Sequence, residues 1–179
     1  MDRRDFLKTS ALFGAAIIIP SRSHARNYEK RLHLYHIHTG EKLSSTYWVD
    51  GEYLYDEIEQ LEYFLRDYKT DEIHKIDIKL IDYLHDVYKL VGGKKEIYVI
   101  SGYRSPYTNY LLRRHSRGVA KKSFHMLGKA IDIRIPHVHL STVRYAALSL
   151  KRGGVGYYPR SNFVHIDTGD PRYWRYPRS

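Results

Sequence analysis

The stretch SFHMLGKAID, Ser123 to Asp132, decides how the chain is read. Gly128 allows a sharp turn, and an apolar strand begins just after it at Ala130. His125 stands before that turn. Asp132 stands after it, between Ile131 and Ile133 on a strand expected to bury its other face. A carboxylate in such a place is costly unless it is paired or bound to a cation. Further along, His165 interrupts the apolar run Phe163-Val-His-Ile-Asp167 in the same way. Two imidazoles and one carboxylate, with a fourth position left to water, form a catalytic zinc pattern. Such an ion brings the pKa of its water toward ~7 and polarises a carbonyl group. An ordinary buried histidine beside a solvated loop is the competing reading. Position sorts the other histidines. His36 and His38 are expected on one face of the first strand, a two-ligand geometry. His137 and His139 follow Pro136, where strand geometry is doubtful, and His74, His85 and His115 stand among charged residues on helices or their ends.

The elements around this stretch follow from periodicity. RLHLYHIHTGEKLSSTYWVDG reads as two strands around a turn at Thr39-Gly40. Leu54, Ile58, Leu61 and Leu65 recur at helical spacing within residues 52–69, with Arg66 and Lys69 near the end. A second helix is expected after Asp77 as cap, with a stripe of Leu80, Leu84, Val87 and Val91 and a stop at Gly92-Gly93. EIYVISGYRS is a buried strand, and Pro106 to about His115 is a helix with proline in its first turn. The segment before Ala130 reads as a loop. AIDIRI is a strand, and STVRYAALSLKRGG is a helix capped by Ser141 and stopped by Gly153-Gly154. GVGYY and NFVHIDTG are strands joined by a turn at 159–162. The order β-β-α-α-β-α-β-α-β-β predicts an α+β domain, with helices packed on a mostly antiparallel sheet.

The 179 residues suit one domain, and 42% hydrophobic content suffices for a core. Residues 1–25 stand apart. A basic start, an apolar run from Ala11 to Ile19 and small residues up to Ala25 are a secretory signal layout. The run is shorter than the ~20 apolar residues that cross a bilayer. Arg3-Arg4-Asp5-Phe6-Leu7-Lys8 resembles the twin-arginine signal, which exports proteins already folded. A periplasmic location follows, with residues 26–179 as the mature domain, and export after folding would suit a protein loaded with its metal first. The chain has no cysteine, so its stability comes from packing without disulfides, and a bound metal would add to it. The net charge is +10, falling to +8 without the leader. A basic exported domain is drawn to polyanions; export opposes nucleic acid and favours the carboxylates of peptidoglycan stem peptides.

Ser123-x-His125-x-x-Gly128-x-Ala130-x-Asp132 resembles the SxHxxGxAxD motif of the D-alanyl-D-alanine zinc peptidases, and His165 matches the second histidine of their metal site. ISGYRS, HSRGVAKKSFH at 115–125, GGVGYYPRSNFVHIDTG and the closing RYW are similar to the murein endopeptidase K family within that group. The resemblance covers about residues 30–175. It implies a hedgehog/DD-peptidase-like fold with one Zn2+ per chain, held by His125, Asp132 and His165. It also implies an arginine facing the substrate, Arg104, and a supporting role for Ser123, bonded to a ligand or to the loop backbone.

One departure bears on mechanism. Many relatives carry a glutamate or histidine two or three residues before the last zinc histidine. Asn162 and Phe163 stand there, and neither is a base. Asp167 is left to orient a ligand or accept a proton, with His115, His137 and His139 as other candidates. Gly153, Gly154 and Gly156 either admit a stem peptide or end a helix. Tyr157, Tyr158 and Trp174 either line a groove or pack the core. Five lysines and arginines between Arg113 and Lys122 offer a contact for an acidic muropeptide. The expected function is a monomeric zinc-dependent murein endopeptidase that cleaves diaminopimelate–diaminopimelate cross-links and some D-Ala–diaminopimelate bonds. A murein carboxypeptidase and a non-catalytic zinc-bearing cell-wall module are the alternatives.

Overall fold

Apolar residues at every second position bury one side of a strand, and Leu32, Leu34 and His36 do so along β1 (Glu29–His36) in the computed structural model, which describes residues 28–116 and 118–176. The leader expected at 1–25 lies outside the described residues. β1 turns at Thr39-Gly40 into β2 (Lys42–Val49), and a two-residue strand β3 (Glu52–Tyr53) follows. Helices α1 (Tyr55–Phe64) and α2 (Ile78–Leu90) lead to β4 (Ile97–Ser101) and α3 (Pro106–His115). A 3-10 turn over Phe124–Leu127 precedes β5 (Ala130–Arg134), α4 (Leu140–Leu150), β6 (Gly154–Tyr158), β7 (Phe163–Asp167) and β8 (Arg172–Arg175).

The eight strands form one sheet in the order β3-β2-β1-β4-β5-β7-β6-β8. Only β1–β4 and β6–β8 run parallel; the other neighbours are antiparallel. The expected α+β class and mostly antiparallel sheet are therefore present. Ile131 and Ile133 of β5, Val164 and Ile166 of β7 and Val155 of β6 point to one face, where α2 and α4 cover them with Leu84, Val87, Val143 and Ala147. Each of these valine, leucine and isoleucine side chains contributes about 1.5–3 kcal/mol by leaving water. The Tyr83 hydroxyl donates to the Ala147 carbonyl at 2.9 Å and ties α2 to α4. Among the described residues no helix is long and apolar enough to cross a membrane.

Several expectations need correction. The first helix ends at Phe64, five residues short of the expected Lys69. Arg66 turns out of it to pair with Glu41 and Asp71, and the Asp67 carboxylate accepts from the Lys69 and Ser105 amides. These tertiary bonds replace the helical ladder. His139, not Ser141, caps α4, with its imidazole accepting from the Ser141 amide. Lys151, in the left-handed region at φ 52°, ends that helix ahead of the glycines. The loop before β5 contains the 3-10 turn. β3 and β8 extend the sheet at its two edges, where so few residues leave no period to read.

The two-ligand reading of His36 and His38 fails because β1 ends at His36 and His38 sits in the turn. His36 is buried, its Nδ1 accepts from the amides of His38 and Thr39, and its proton therefore sits on Nε2. Burial, with help from His38, pushes its pKa down to about 4. Unfolded chains protonate this side chain near 6.5. Between those values the unfolded state binds a proton that the native state does not, so stability falls as pH drops from 6.5 to about 4. Urea titrations across that window should show up to roughly 3 kcal/mol less loss in His36→Asn, which keeps the acceptor and removes the titration. Equal pH slopes in the two proteins would refute this.

Candidate metal centre and cleft

Strand register builds the site as one row across five strands. Ser101 of β4 stands opposite Asp132 of β5, Asp132 opposite His165 of β7, His165 opposite Gly156 of β6, and Gly156 opposite Trp174 of β8. All lie on the face away from α2 and α4, because alternate residues of each strand face the core. An irregularity in β4 lets Val99 pair with Ile133 on the core side while Ser101 pairs with Asp132 on the other.

His125 joins this row from the 3-10 turn. The Ser123 hydroxyl caps that turn by accepting from the His125 amide at 3.3 Å, which is the backbone alternative for Ser123. Gly128 ends the turn at φ 63°, and a Cβ there would overlap the Lys75 carbonyl oxygen. The turn therefore needs glycine for both its conformation and its space.

His125, Asp132 and His165 are buried, and their ligand atoms lie within 4.8 Å of one another. His165 Nδ1 is 2.8 Å from Asp132 Oδ1, and His125 Nε2 is 3.2 Å from His165 Nδ1 and 3.3 Å from Asp132 Oδ1. The outer nitrogens define the protonation. His125 Nδ1 donates to the Gly102 carbonyl at 2.8 Å, and His165 Nε2 donates to Asp167 Oδ2 at 3.0 Å. Both partners can only accept, so in the neutral rings the inner nitrogens carry lone pairs aimed at the carboxylate. With both rings neutral, three electron-pair donors converge on one point, an arrangement that suits a cation. Two nitrogens and one oxygen suit a borderline-soft divalent ion.

Electrostatics agree. Burial holds the His125 pKa below its ordinary value, keeping the ring neutral. Burial opposes ionisation of Asp132, yet the two histidines outweigh it and hold that carboxyl well below the usual range. Burial also opposes charge on His165, but its bonds to Asp132 and Asp167 prevail and raise its pKa. The two carboxylates thus favour positive charge at His165, which a proton or a cation at its inner nitrogen would supply.

Arg104 closes one end of the row. Its guanidinium lies 3.6 Å from Asp132 Oδ2 and donates to Ser101 Oγ at 3.2 Å and Asn109 Oδ1 at 3.5 Å. Asp67 fixes the following residue through the Ser105 amide. At the other end, Asp167 is fully buried and accepts from His165, from both terminal nitrogens of Arg172 and from the amides of Gly154 and Gly169. This geometry favours the orienting role for Asp167 over proton transfer. Arg172 is invisible to sequence reasoning. Its link to Asp167 depends on parallel pairing of β8 with β6, which no local period announces.

The cleft over the row has a volume of about 270 Å3, and Arg104, Lys122, Tyr158, Phe163, Arg172 and Trp174 reach it beside the three ligands. Of the basic segment after α3, Lys122 lines this wall. The glycines of β6 have a different job from either expected one. A Cβ on Gly156 would lie 2.6 Å from the Trp174 ring, and one on Gly154 2.5 Å from the Arg172 guanidinium. They make room for side chains that wall the cleft. Tyr158 and Trp174 line it, whereas Tyr157 packs on the core side. His115 is exposed at the end of α3, His137 is exposed in a turn and His139 caps α4; none of the three lines the cleft.

Comparison with known proteins agrees with this architecture. Residues 24–174 match the family model described as Peptidoglycan L,D-endopeptidase MepK. The Escherichia coli K12 protein "Peptidoglycan L,D-endopeptidase MepK" is 45% identical over 176 residues, 97% of each chain. The Haemophilus influenzae "Probable peptidoglycan L,D-endopeptidase MepK" is 46% identical over 140 residues, 78% of this chain and 75% of that protein. A match that spans every strand of the row and all three converging side chains leaves one assignment: the chain belongs to the peptidoglycan L,D-endopeptidase MepK family.

Proposed function

We propose that the chain is a zinc-dependent endopeptidase of peptidoglycan. It cleaves the diaminopimelate–diaminopimelate cross-link, which joins an L-centre carbonyl to a D-centre amine, with D-Ala–diaminopimelate bonds as a lesser substrate. The observation that carries the reading is the convergence of His125 Nε2, Asp132 Oδ1 and His165 Nδ1 on one buried point at the floor of an open cleft. The relatives' name, with its L,D-endopeptidase, supports the choice of bond. We read the sheet as the hedgehog/DD-peptidase arrangement and residues 1–25 as a twin-arginine leader that delivers a monomer to the periplasm.

When bound, the ion acidifies a water and polarises the scissile carbonyl. The protein's own residues do the rest. Gly102 and Asp167 lock the two imidazoles in the ligating tautomer. Arg104 holds the outer oxygen of Asp132 and presents its remaining N–H groups to a substrate carboxylate or to developing negative charge. Lys122 and Arg172 add positive charge along the same cleft, suited to an acidic stem peptide.

Purified mature protein should release cross-linked dimers as monomers from sacculi, read by mass. Dialysis against a chelator should remove at least nine-tenths of this turnover, and one equivalent of Zn2+ should restore it. Release of terminal D-alanine alone, with dimers surviving, would make the protein a carboxypeptidase. Binding of sacculi with no hydrolysis in the zinc-loaded protein would make it a binding module.

A further inference from the structure

The far wall of the cleft holds a hydroxyl whose own hydrogen has no partner among the described residues. Tyr158, the last residue of β6, lies at the β6–β8 end of the row, opposite Arg104 at the β4 end, with Asp132 and His165 between them. Its ring stacks on Phe163, its partner across β7, with centroids 4.3 Å apart and planes 15° from parallel. That stack fixes the ring. The oxygen is fixed separately: Trp174 Nε1 donates to it at 2.9 Å. Trp174 is itself held, lying over Gly156 and tilted against the His165 imidazole at 5.2 Å.

An indole N–H can only donate, so the bond from Trp174 occupies a lone pair of the Tyr158 oxygen. The phenol's own hydrogen is left over. Among the described residues it has no acceptor, and the side chain lines the cleft beside the three ligands. A neutral phenol that already accepts one hydrogen bond is a better donor for the second, because chained hydrogen bonds polarise one another. Such a donor is held in place before any substrate arrives.

We propose that the Tyr158 hydroxyl donates a hydrogen bond to the scissile carbonyl oxygen as that oxygen gains negative charge, with Trp174 as the residue that positions it. The inference rests on the endopeptidase reading and adds a catalytic residue to it. No proton is transferred; the bond strengthens as charge develops and weakens as the carbonyl re-forms. Arg104 and Tyr158 then face the reacting group from the two ends of the row, one with a fixed charge and one with a neutral donor.

The test compares Tyr158→Phe with Trp174→Phe in zinc-loaded protein. Tyr158→Phe keeps the stack on Phe163 and should lower kcat by about 10²-fold, with KM within threefold, as for loss of one oxyanion donor. Bound zinc and melting temperature should stay as in the parent. Trp174→Phe leaves the phenol in place and should cost less, about tenfold. A phosphinate analogue of the cross-link, which mimics the tetrahedral state, should bind Tyr158→Phe about 10²-fold more weakly than the parent, while an uncleaved peptide binds both equally. A Tyr158→Phe enzyme with parental kcat and phosphinate affinity overturns the proposal. So does a Trp174→Phe loss equal to or larger than that of Tyr158→Phe, because the hydroxyl would then serve only to hold the indole. A parent protein that holds zinc, cleaves nothing and ignores the phosphinate defeats the endopeptidase reading itself, and this inference with it.

Discussion

Asp132→Ala should yield a folded protein that keeps no stoichiometric zinc after desalting and turns over cross-linked muropeptide at least about 10³-fold more slowly, some 4 kcal/mol in the barrier. The carboxylate supplies the only formal negative charge among the three converging ligands. It is also the counter-ion of Arg104. Removing it leaves two buried imidazoles and a guanidinium facing each other, so the site repels a cation instead of attracting one. Asp132→Asn separates charge from shape. It retains an oxygen acceptor for Arg104 and should hold the fold, while still losing the ion. Elemental analysis gives zinc content, and circular dichroism confirms that the strands remain. If either variant binds zinc with parental affinity, the three side chains do not form the metal centre.

The second large effect belongs to a fully buried residue beside the three ligands. Asp167→Ala should lower stability by about 3–5 kcal/mol, because it strands buried partners of a fully buried carboxylate. Five donated hydrogen bonds end on that group, two of them from the backbone amides of Gly154 and Gly169. In a domain of this size the expected fall in melting temperature is roughly 10 °C. Zinc affinity should weaken about 10–100-fold as well, since His165 loses the acceptor that orients its ring. Arg172→Met should be milder on both counts. The Arg172 side chain is 41% exposed, and its removal leaves Asp167 with three donors. Thermal melts and competition with a chromophoric chelator measure the two effects independently. A variant at position 167 that lost stability yet held zinc as tightly as the parent would show that Asp167 braces the sheet without orienting the ligand.

Much of the site was legible because its information is local. The span from His125 to Asp132 contains a turn and the start of a strand, and seven residues suffice to encode both. His165 was legible as a polar interruption of an apolar strand. The helices were legible where an amphipathic period runs unbroken, as over Leu80, Leu84 and Val87 in α2, which starts after the expected cap Asp77. Reading failed where a tertiary bond overrode the local signal. Arg66 and Asp67 spend their side chains on Glu41, Asp71 and Ser105, so the first helix stops early despite its continuing period.

By itself, then, the sequence determined the α+β class, the order of most elements and the three residues that converge, because periodicity and short motifs act over a few neighbouring positions. Only the tertiary structure decided what surrounds them. That Asp167 is enclosed by donors, that Arg172 meets it, that Gly156 makes room for Trp174 and that Trp174 holds Tyr158 all follow from the pairing of β7, β6 and β8. The physical reason is that strand register is set by contacts between distant segments. A one-residue slip would turn each of these side chains to the opposite face, and no local pattern along the chain records which pairing prevails.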